Sequence, residues 1–206
     1  MVSKNKNEFQ LILGSGSPRR KDLLTATGLP FSIRPADCEE VTGKSDPREV
    51  AEDLAALKGR WVLERHEGEV TPLVIASDTV VALNGKVYGK PGTREKASAM
   101  LLELAGQTHE VITAVWFGTP EKEKVFSCRS QVTFTALDEE ILERYLDTGE
   151  SLDKAGAYGI QGLSLSFISH LEGSYSNVVG FPLTDILREL ELFVGGGEWR
   201  KRFRET

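Results

Sequence analysis

The sequence predicts an α/β fold with a mixed sheet. Segments of strand and helix character alternate early in the chain, beginning with a strand that runs through a glycine-rich loop into a helix. Two long strand-like runs then stand next to each other in the middle, joined by a short turn, which requires antiparallel neighbours as well as parallel ones. With 206 residues, 40% of them hydrophobic and 27% charged, the chain can bury a sizeable core as one domain or two closely joined lobes.

Each element has a local reason. Met1 to Glu8 is polar and reads as a loose start, and Phe9 to Leu13 is a short apolar strand. Gly14-Ser15-Gly16 allows tight turning, Ser17-Pro18 reads as an N-cap with proline at the first helical position, and the helix that follows runs over Arg20 to Ala26 and closes at Gly28. Phe31 to Arg34 is a second short strand. Asp46-Pro47-Arg48-Glu49 has the spacing of a capping box, and Val50, Leu54, Leu57 and Trp61 step along one face of the helix it opens. Leu73 to Ala76 and Val80 to Leu83 are strand-like, separated by Ser77-Asp78-Thr79, and Asn84-Gly85 is a two-residue turn into Lys86-Val87-Tyr88. Thr93 caps a helix carrying Ala97, Leu101 and Leu104 that ends at Gly106. Thr108 to Phe117 and Lys124 to Thr135 form the antiparallel pair, and Asp138 caps Glu139 to Asp147, stopped at Gly149. Leu163 to Leu171 reads as a strand and Thr184 to Phe193 as the last helix. No repeat or linker divides residues 9–194, and the stretch 195–206, opened by three glycines and rich in basic residues, reads as a loose, solvated tail.

Four places break these patterns. Arg19 and Arg20 occupy a first helical turn, where the macrodipole disfavours cations, beside free backbone N–H groups and serine hydroxyls. Together these groups suit a phosphate, although a capped turn with arginines reaching solvent fits the same residues. The loop is neither a dinucleotide fingerprint nor a P-loop, because no third glycine and no Gly-Lys-Ser/Thr follows. Asp37, Glu39 and Glu40 concentrate acid in one loop, either as a solvated surface or with one carboxylate facing the basic site and holding a metal. Asp78 interrupts an otherwise apolar strand run, as a turn aspartate or as a functional carboxylate. Lys58 can lay its stem on the core edge and reach a cleft or bulk water, and Lys90 stands on a loop shaped by Gly89, Pro91 and Gly92. The fourth break is Asp153-Lys154-Ala155-Gly156-Ala157-Tyr158-Gly159-Ile160-Gln161-Gly162, whose glycine density indicates close approach of backbone or ligand.

Composition excludes several classes. A net charge of −6 argues against a sequence-independent nucleic-acid binder. Cys38 and Cys128 are far apart and the three histidines share no ligand spacing, so a metal here would be a hard, oxygen-liganded ion such as Mg²⁺ rather than zinc, and the compartment is expected to be reducing. No apolar run has transmembrane length, and the N-terminus has no apolar signal core, so a cytoplasmic protein away from membranes is expected.

Five stretches in order, Ser15-Gly16-Ser17-Pro18-Arg19-Arg20, Ser77-Asp78-Thr79-Val80-Val81, Gly89-Lys90-Pro91, Gly106-Gln107-Thr108-His109 and the Gly156–Gly162 segment, resemble the Maf family of nucleoside triphosphate pyrophosphatases. Ser-Gly-Ser-Pro-Arg-Arg and Tyr-Gly-Ile-Gln-Gly are similar to the branch acting on dTTP and UTP. The branch acting on 7-methyl-GTP tends to carry an aromatic after the proline and Glu in place of Gln161. The resemblance implies a two-lobed α/β fold with a central cleft, related to the inosine triphosphate pyrophosphatases and commonly homodimeric. It also implies metal-dependent hydrolysis between the α- and β-phosphates, with Mg²⁺ or Mn²⁺ as cofactor and a small nucleotide as substrate. By resemblance Asp78 takes the proton from water and Glu40 (or Glu39, one position away) and Asp78 hold the metal; the residues themselves agree, since Arg19, Arg20, Lys58 and Lys90 can clamp the phosphate charge. Ser15 resembles a phosphate-contacting serine, and Arg19, Thr79 and Gln161 fall where the family sets base specificity. The family usually has alanine where this chain has Gly59, which costs a helix interior about 1 kcal/mol and predicts a less firmly placed Lys58. Two rival readings are a non-catalytic nucleotide-binding regulator of septum formation, which would not need Asp78, and a pyrophosphatase for modified purine nucleotides, which Gln161 disfavours.

Overall fold

The computed structural model of the protein describes residues 8–203. The expected loose start thus lies outside the described residues except for Glu8. Seven strands form one sheet: β1 (Phe9–Leu13), β2 (Ser32–Ile33), β3 (Thr71–Leu83), β4 (Lys86–Tyr88), β5 (Thr108–Gly118), β6 (Glu123–Phe134) and β7 (Ile168–Glu172). The order is β2-β1-β3-β5-β6-β7, with β4 hairpinned onto β3. β1 pairs parallel with β2 and β3, while β3, β5, β6 and β7 run antiparallel, so the sheet is mixed as expected.

The helices are α1 (Pro18–Thr25), α2 (Pro47–Glu64), α3 (Arg94–Leu104), α4 (Glu139–Asp147), α5 (Tyr175–Val179) and α6 (Leu183–Val194). Asp46, Thr93 and Asp138 cap α2, α3 and α4 through side-chain oxygens that accept from Glu49, Lys96 and Ile141 N–H groups. Ser17 occupies the N-cap of α1 but makes no side-chain capping bond; Ser15 Oγ instead accepts from Ser17 N–H at 3.3 Å. The Asn84-Gly85 turn has positive φ at both residues, 52° and 80°, as a type I′ turn requires.

Strand alternation sorts the core into two faces. Val74, Ala76, Val80, Ile112, Ala114 and Trp116 face α2. Leu73, Ile75, Val115 and Phe117 pack under α1 and α6 on the opposite face, which continues through Val81, Val111, Val132 and Phe134 under α3 and α4.

Four expectations need correction. α2 buries Val50, Ala51, Ala55, Ala56, Gly59 and Val62, whereas Leu54, Leu57 and Trp61 are only partly covered. Small residues bring this helix close to the sheet: a Cβ on Gly59 or on Gly118 would fall inside the Trp116 indole, which lies across both glycines. β3 is continuous through Ser77-Asp78-Thr79 because alternate residues serve different faces. Leu163 to Leu171 is not one strand, since Gly162–Ser166 winds into a 3-10 turn before β7. The tail is not loose where it is described: Trp199 and Phe203 are buried in the α6 core, and Phe203 bridges Phe9. Aromatic residues four apart anchor this otherwise basic segment.

Candidate active site

The β1–α1 loop, the 35–40 segment, α2, β3, the loop after β4 and the 153–161 segment enclose a cleft of about 570 Å³. All nine residues singled out from the sequence line it: Ser15, Arg19, Arg20, Glu40, Lys58, Asp78, Thr79, Lys90 and Gln161.

The α2 side of β3 carries the charge. Lys58 Nζ donates to Asp78 Oδ1 at 2.6 Å and lies 2.7 Å from Glu40 Oε2, with its side chain 12% exposed. Gly59 therefore does not loosen Lys58, contrary to the expectation; it lets α2 sit on Trp116, and the lysine one residue away is held by two carboxylates. Glu40, not its neighbour Glu39, is the acid that reaches Lys58 and lines the cleft. Burial pushes the Glu40 carboxyl up, but the Lys58 hydrogen bond and the charges of Lys58, Lys90 and Arg20 carry it below its ordinary value. Lys90 stands exposed on a loop tied down by Gly156 N–H donating to Gly89 O at 3.2 Å and Gly92 N–H donating to Leu152 O at 3.3 Å.

The other side of β3 is neutral apart from one arginine. Arg20 Nη1 donates to Ser77 O at 2.8 Å and to Ser15 Oγ at 3.2 Å, and Nη2 donates to Thr79 Oγ1 at 3.2 Å. Burial pushes the guanidinium down from its ordinary value, and the nearby Asp78 carboxylate opposes that. Gly180 comes up against this arrangement: a Cβ there would sit 2.9 Å from Thr79 Oγ1 and 3.3 Å from both Arg20 Nε and Nη2.

The 153–161 segment closes the cleft. Gly156, at φ +66°, packs so closely on Val81 that a Cβ would meet its side chain at 2.9 Å. Ser164 Oγ donates to Gln161 O at 2.9 Å and also to Gly159 O, fixing the backbone at Gln161. The Gln161 side-chain amide is exposed to the cleft and bonds to no other described residue. Asp153, Lys154 and Tyr158 also line the cleft and were not singled out from the sequence as site residues, although all three lie within the glycine-rich stretch 153–162. Lys154 Nζ is 2.9 Å from Asp153 Oδ1, and Tyr158 Oη is 2.6 Å from the buried His109 Nε2.

Among the described residues no group of three or more His, Cys, Asp or Glu side chains gathers at one point as a metal cage. Glu40 and Asp78 do converge, on the Lys58 ammonium, and supply only hard carboxylate oxygens.

Fold and site together define an α/β protein in which one cleft brings the Arg20 guanidinium and the Glu40–Lys58–Asp78 charge cluster together. The chain belongs to the Maf family, matching the Maf-like protein description over residues 10–193, as the five motifs indicated. It is 42% identical over 188 residues to a dTTP/UTP pyrophosphatase of Bacillus cytotoxicus, covering 91% of this chain and 97% of the relative. A dTTP/UTP pyrophosphatase of Bacillus cereus is 40% identical over 191 residues, covering 92% and 93%. Among solved structures, the Ham1 protein of Staphylococcus aureus aligns with a TM-score of 0.41 and 17% identity over 61% of this chain and 72% of its own, a likeness too partial to bear on the site.

Proposed function

We propose that this protein is a nucleoside triphosphate pyrophosphatase that hydrolyses dTTP and UTP to the monophosphate and pyrophosphate. The observation that carries the reading is the pairing, across one strand, of Asp78 in contact with Lys58 on one face and of Arg20 on the other, both lining one cleft. Breaking a phosphoanhydride needs an aligned water, a proton acceptor and cations to take the charge of the phosphates, and little else from the protein. Arg19, Arg20 and Lys90 bind and orient the triphosphate, and Ser15 adds a short polar contact. Asp78 accepts the proton as the water oxygen bonds phosphorus and the bridging α–β bond breaks, its electron pair leaving on pyrophosphate. Lys58 aims Asp78 through their 2.6 Å contact and offsets the negative charge beside it.

A divalent ion fits the donor set. Glu40 and Asp78 would hold Mg²⁺ or Mn²⁺, which commonly takes one or two carboxylates and completes its shell with water and substrate phosphates. Such an ion would neutralise phosphate charge and polarise the bond that breaks. A homodimer is part of the same reading, supported by the family resemblance, and light scattering of the purified protein tests it; a cytoplasmic location is proposed with it. No helix among the described residues is long and apolar enough to cross a membrane.

Base choice falls to Gln161. Its amide both donates and accepts, which matches the alternating edge of uracil and thymine, while an ionised glutamate only accepts. Sites that hydrogen-bond a ligand edge reject analogues leaving polar groups unpaired. A panel of triphosphates assayed for pyrophosphate release should show dTTP and UTP used at least about tenfold more efficiently than CTP. Gln161→Glu should erase most of that preference without altering the thermal midpoint. Equal efficiency on CTP and UTP in the parent, or an unchanged preference in the variant, would remove Gln161 from base reading.

A further inference from the structure

We propose that Thr113, a fully buried residue of β5 that does not line the cleft, is a positioning residue for Arg20, acting through Thr79 along a hydrogen-bond chain anchored in the backbone of α5. The inference rests on reading Arg20 as a triphosphate clamp.

The direction of the chain follows from the chemistry of its members. Thr113 Oγ1 lies 2.8 Å from the backbone carbonyl of Asn177, which can only accept, so the single proton of Thr113 is committed there. Thr79 and Thr113 face each other across the β3–β5 pair with their hydroxyls 3.0 Å apart, and Thr79 must therefore donate to Thr113. Arg20 Nη2 then donates to Thr79 Oγ1, completing a one-way run from guanidinium to Thr79, to Thr113, to carbonyl. Reversing any link would set two protons, or two oxygen lone pairs, against each other.

The far end is rigid. The Asn177 side chain is fully buried and donates from Nδ2 to Val111 O at 3.0 Å and to Ser130 Oγ at 2.9 Å, which ties α5 to β5 and β6. The near end decides what Arg20 can offer. Of the five N–H groups of a guanidinium, both on Nη1 and one on Nη2 are held by protein oxygens. The N–H on Nε and the second on Nη2 take no protein acceptor among the described residues, and the missing Cβ of Gly180, which would lie 3.3 Å from both nitrogens, leaves them open to phosphate oxygens. Thr79 decides which edge of Arg20 is presented, and Thr113 fixes the rotor of Thr79. The hydroxyl proton of Thr79 is thereby taken up by the protein, so in this arrangement Thr79 serves the arginine rather than donating to a base.

Four variants test this: Thr113→Val, which keeps shape and removes the hydroxyl, Thr113→Ser, which restores it, Arg20→Ala, and the Arg20→Ala/Thr113→Val double variant. The readouts are KM and kcat on UTP and dTTP, and the affinity for a non-hydrolysable α,β-imido analogue of UTP by titration calorimetry. Thr113→Val should raise KM and weaken analogue binding about tenfold, Thr113→Ser should return both to within about threefold of the parent, and Thr113→Val added to Arg20→Ala should change them less than about twofold. A merely structural threonine would lower the thermal midpoint and cost the same factor in both backgrounds. That additive outcome, or parental kinetics in Thr113→Val, overturns the proposal while leaving the clamp intact. Parental kinetics and affinity in Arg20→Ala would instead overturn the clamp itself. Thr113→Ala supplies the same comparison should valine not be accommodated.

Discussion

The two faces of β3 solve the same electrostatic problem differently. On the α2 face, Asp78 meets Lys58 and Glu40 in a compact set of full charges, each held by its opposite. On the α1–α5 face, one strand position away, Arg20 meets Ser15, Ser77, Thr79 and, beyond them, Thr113, all neutral. An opposite charge at contact distance holds and offsets a group in place, whereas neutral hydrogen-bond partners orient a charge without cancelling it. Arg20 is oriented by dipoles, and on the proposed reading it keeps its net charge for the triphosphate. The difference makes the faces separable by mutation.

Asp78→Asn should have the largest effect. It keeps the shape of the side chain, leaves Lys58 its Glu40 partner, and removes the proton acceptor, so turnover should fall by about 10³-fold while analogue affinity changes little. Rapid-quench measurement of pyrophosphate release checks it. Turnover within a factor of a few of the parent would reduce Asp78 to a structural partner of Lys58 and erase the distinction between the faces.

Gly59→Ala probes how the charged face is held in place. Alanine is the better helix former by about 1 kcal/mol, yet its Cβ would collide with an indole that already lies against Gly118 and has nowhere to retreat. Overpacking of this kind should destabilise by about 3 kcal/mol or more, read as a lowered urea midpoint, and should raise KM by shifting Lys58 with the helix. Unchanged stability would mean that Trp116 repacks freely, and that the close approach of α2 is not what sets Lys58.

How much of this was legible in the sequence depends on the range of the contact that decides each feature. Local chemistry read correctly: the caps at Asp46, Thr93 and Asp138, the Asn84-Gly85 turn, and the polar triplet in a strand run that marked Asp78. Seven of the nine cleft residues were also found together, because five short motifs resembled one family and their order could be matched; Glu40 and Lys58 lie between those motifs. Features set by partners far along the chain were not legible. The buried face of α2 was assigned to its large apolar residues, but a helix pressed against a sheet at Trp116 must bury its small ones, and the tryptophan lies over fifty residues away. Thr113 looked like any strand threonine, since its meaning comes from Asn177 and Thr79. The short helix α5 gave no periodic signal, being only five residues long, and Trp199 and Phe203 were hidden by the basic residues between them.

The smallest effect should be a dependence on pH confined to the neutral face. His109 lies on the same side of β5 as Thr113, buried at 1% exposure against Phe134 and Tyr158, and burial pushes its imidazole down from 6.5 to about 4. The folded protein therefore holds His109 neutral while the unfolded chain takes up a proton once the pH falls below 6.5. The unfolded state binds more protons between pH 6.5 and about 4, so the stability due to a neutral His109 is complete above pH 6.5 and drains away as the pH falls through that window. Over the step from pH 7 to pH 5 this group alone should cost about 2 kcal/mol. His109→Phe keeps a flat aromatic ring in the aromatic cluster but has nothing to titrate, and it gives up the bond to Tyr158. It should be less stable than the parent at pH 7, and the gap should narrow by about 2 kcal/mol at pH 5 in urea denaturation. Because Tyr158 lines the cleft beside Gln161, the same variant should disturb nucleotide affinity at pH 7 more than it disturbs Lys58 and Asp78 on the far face. Parallel stability curves for parent and variant between pH 7 and pH 5 would show that His109 carries no proton-linked share of the stability and would leave the neutral face without its acid sensitivity.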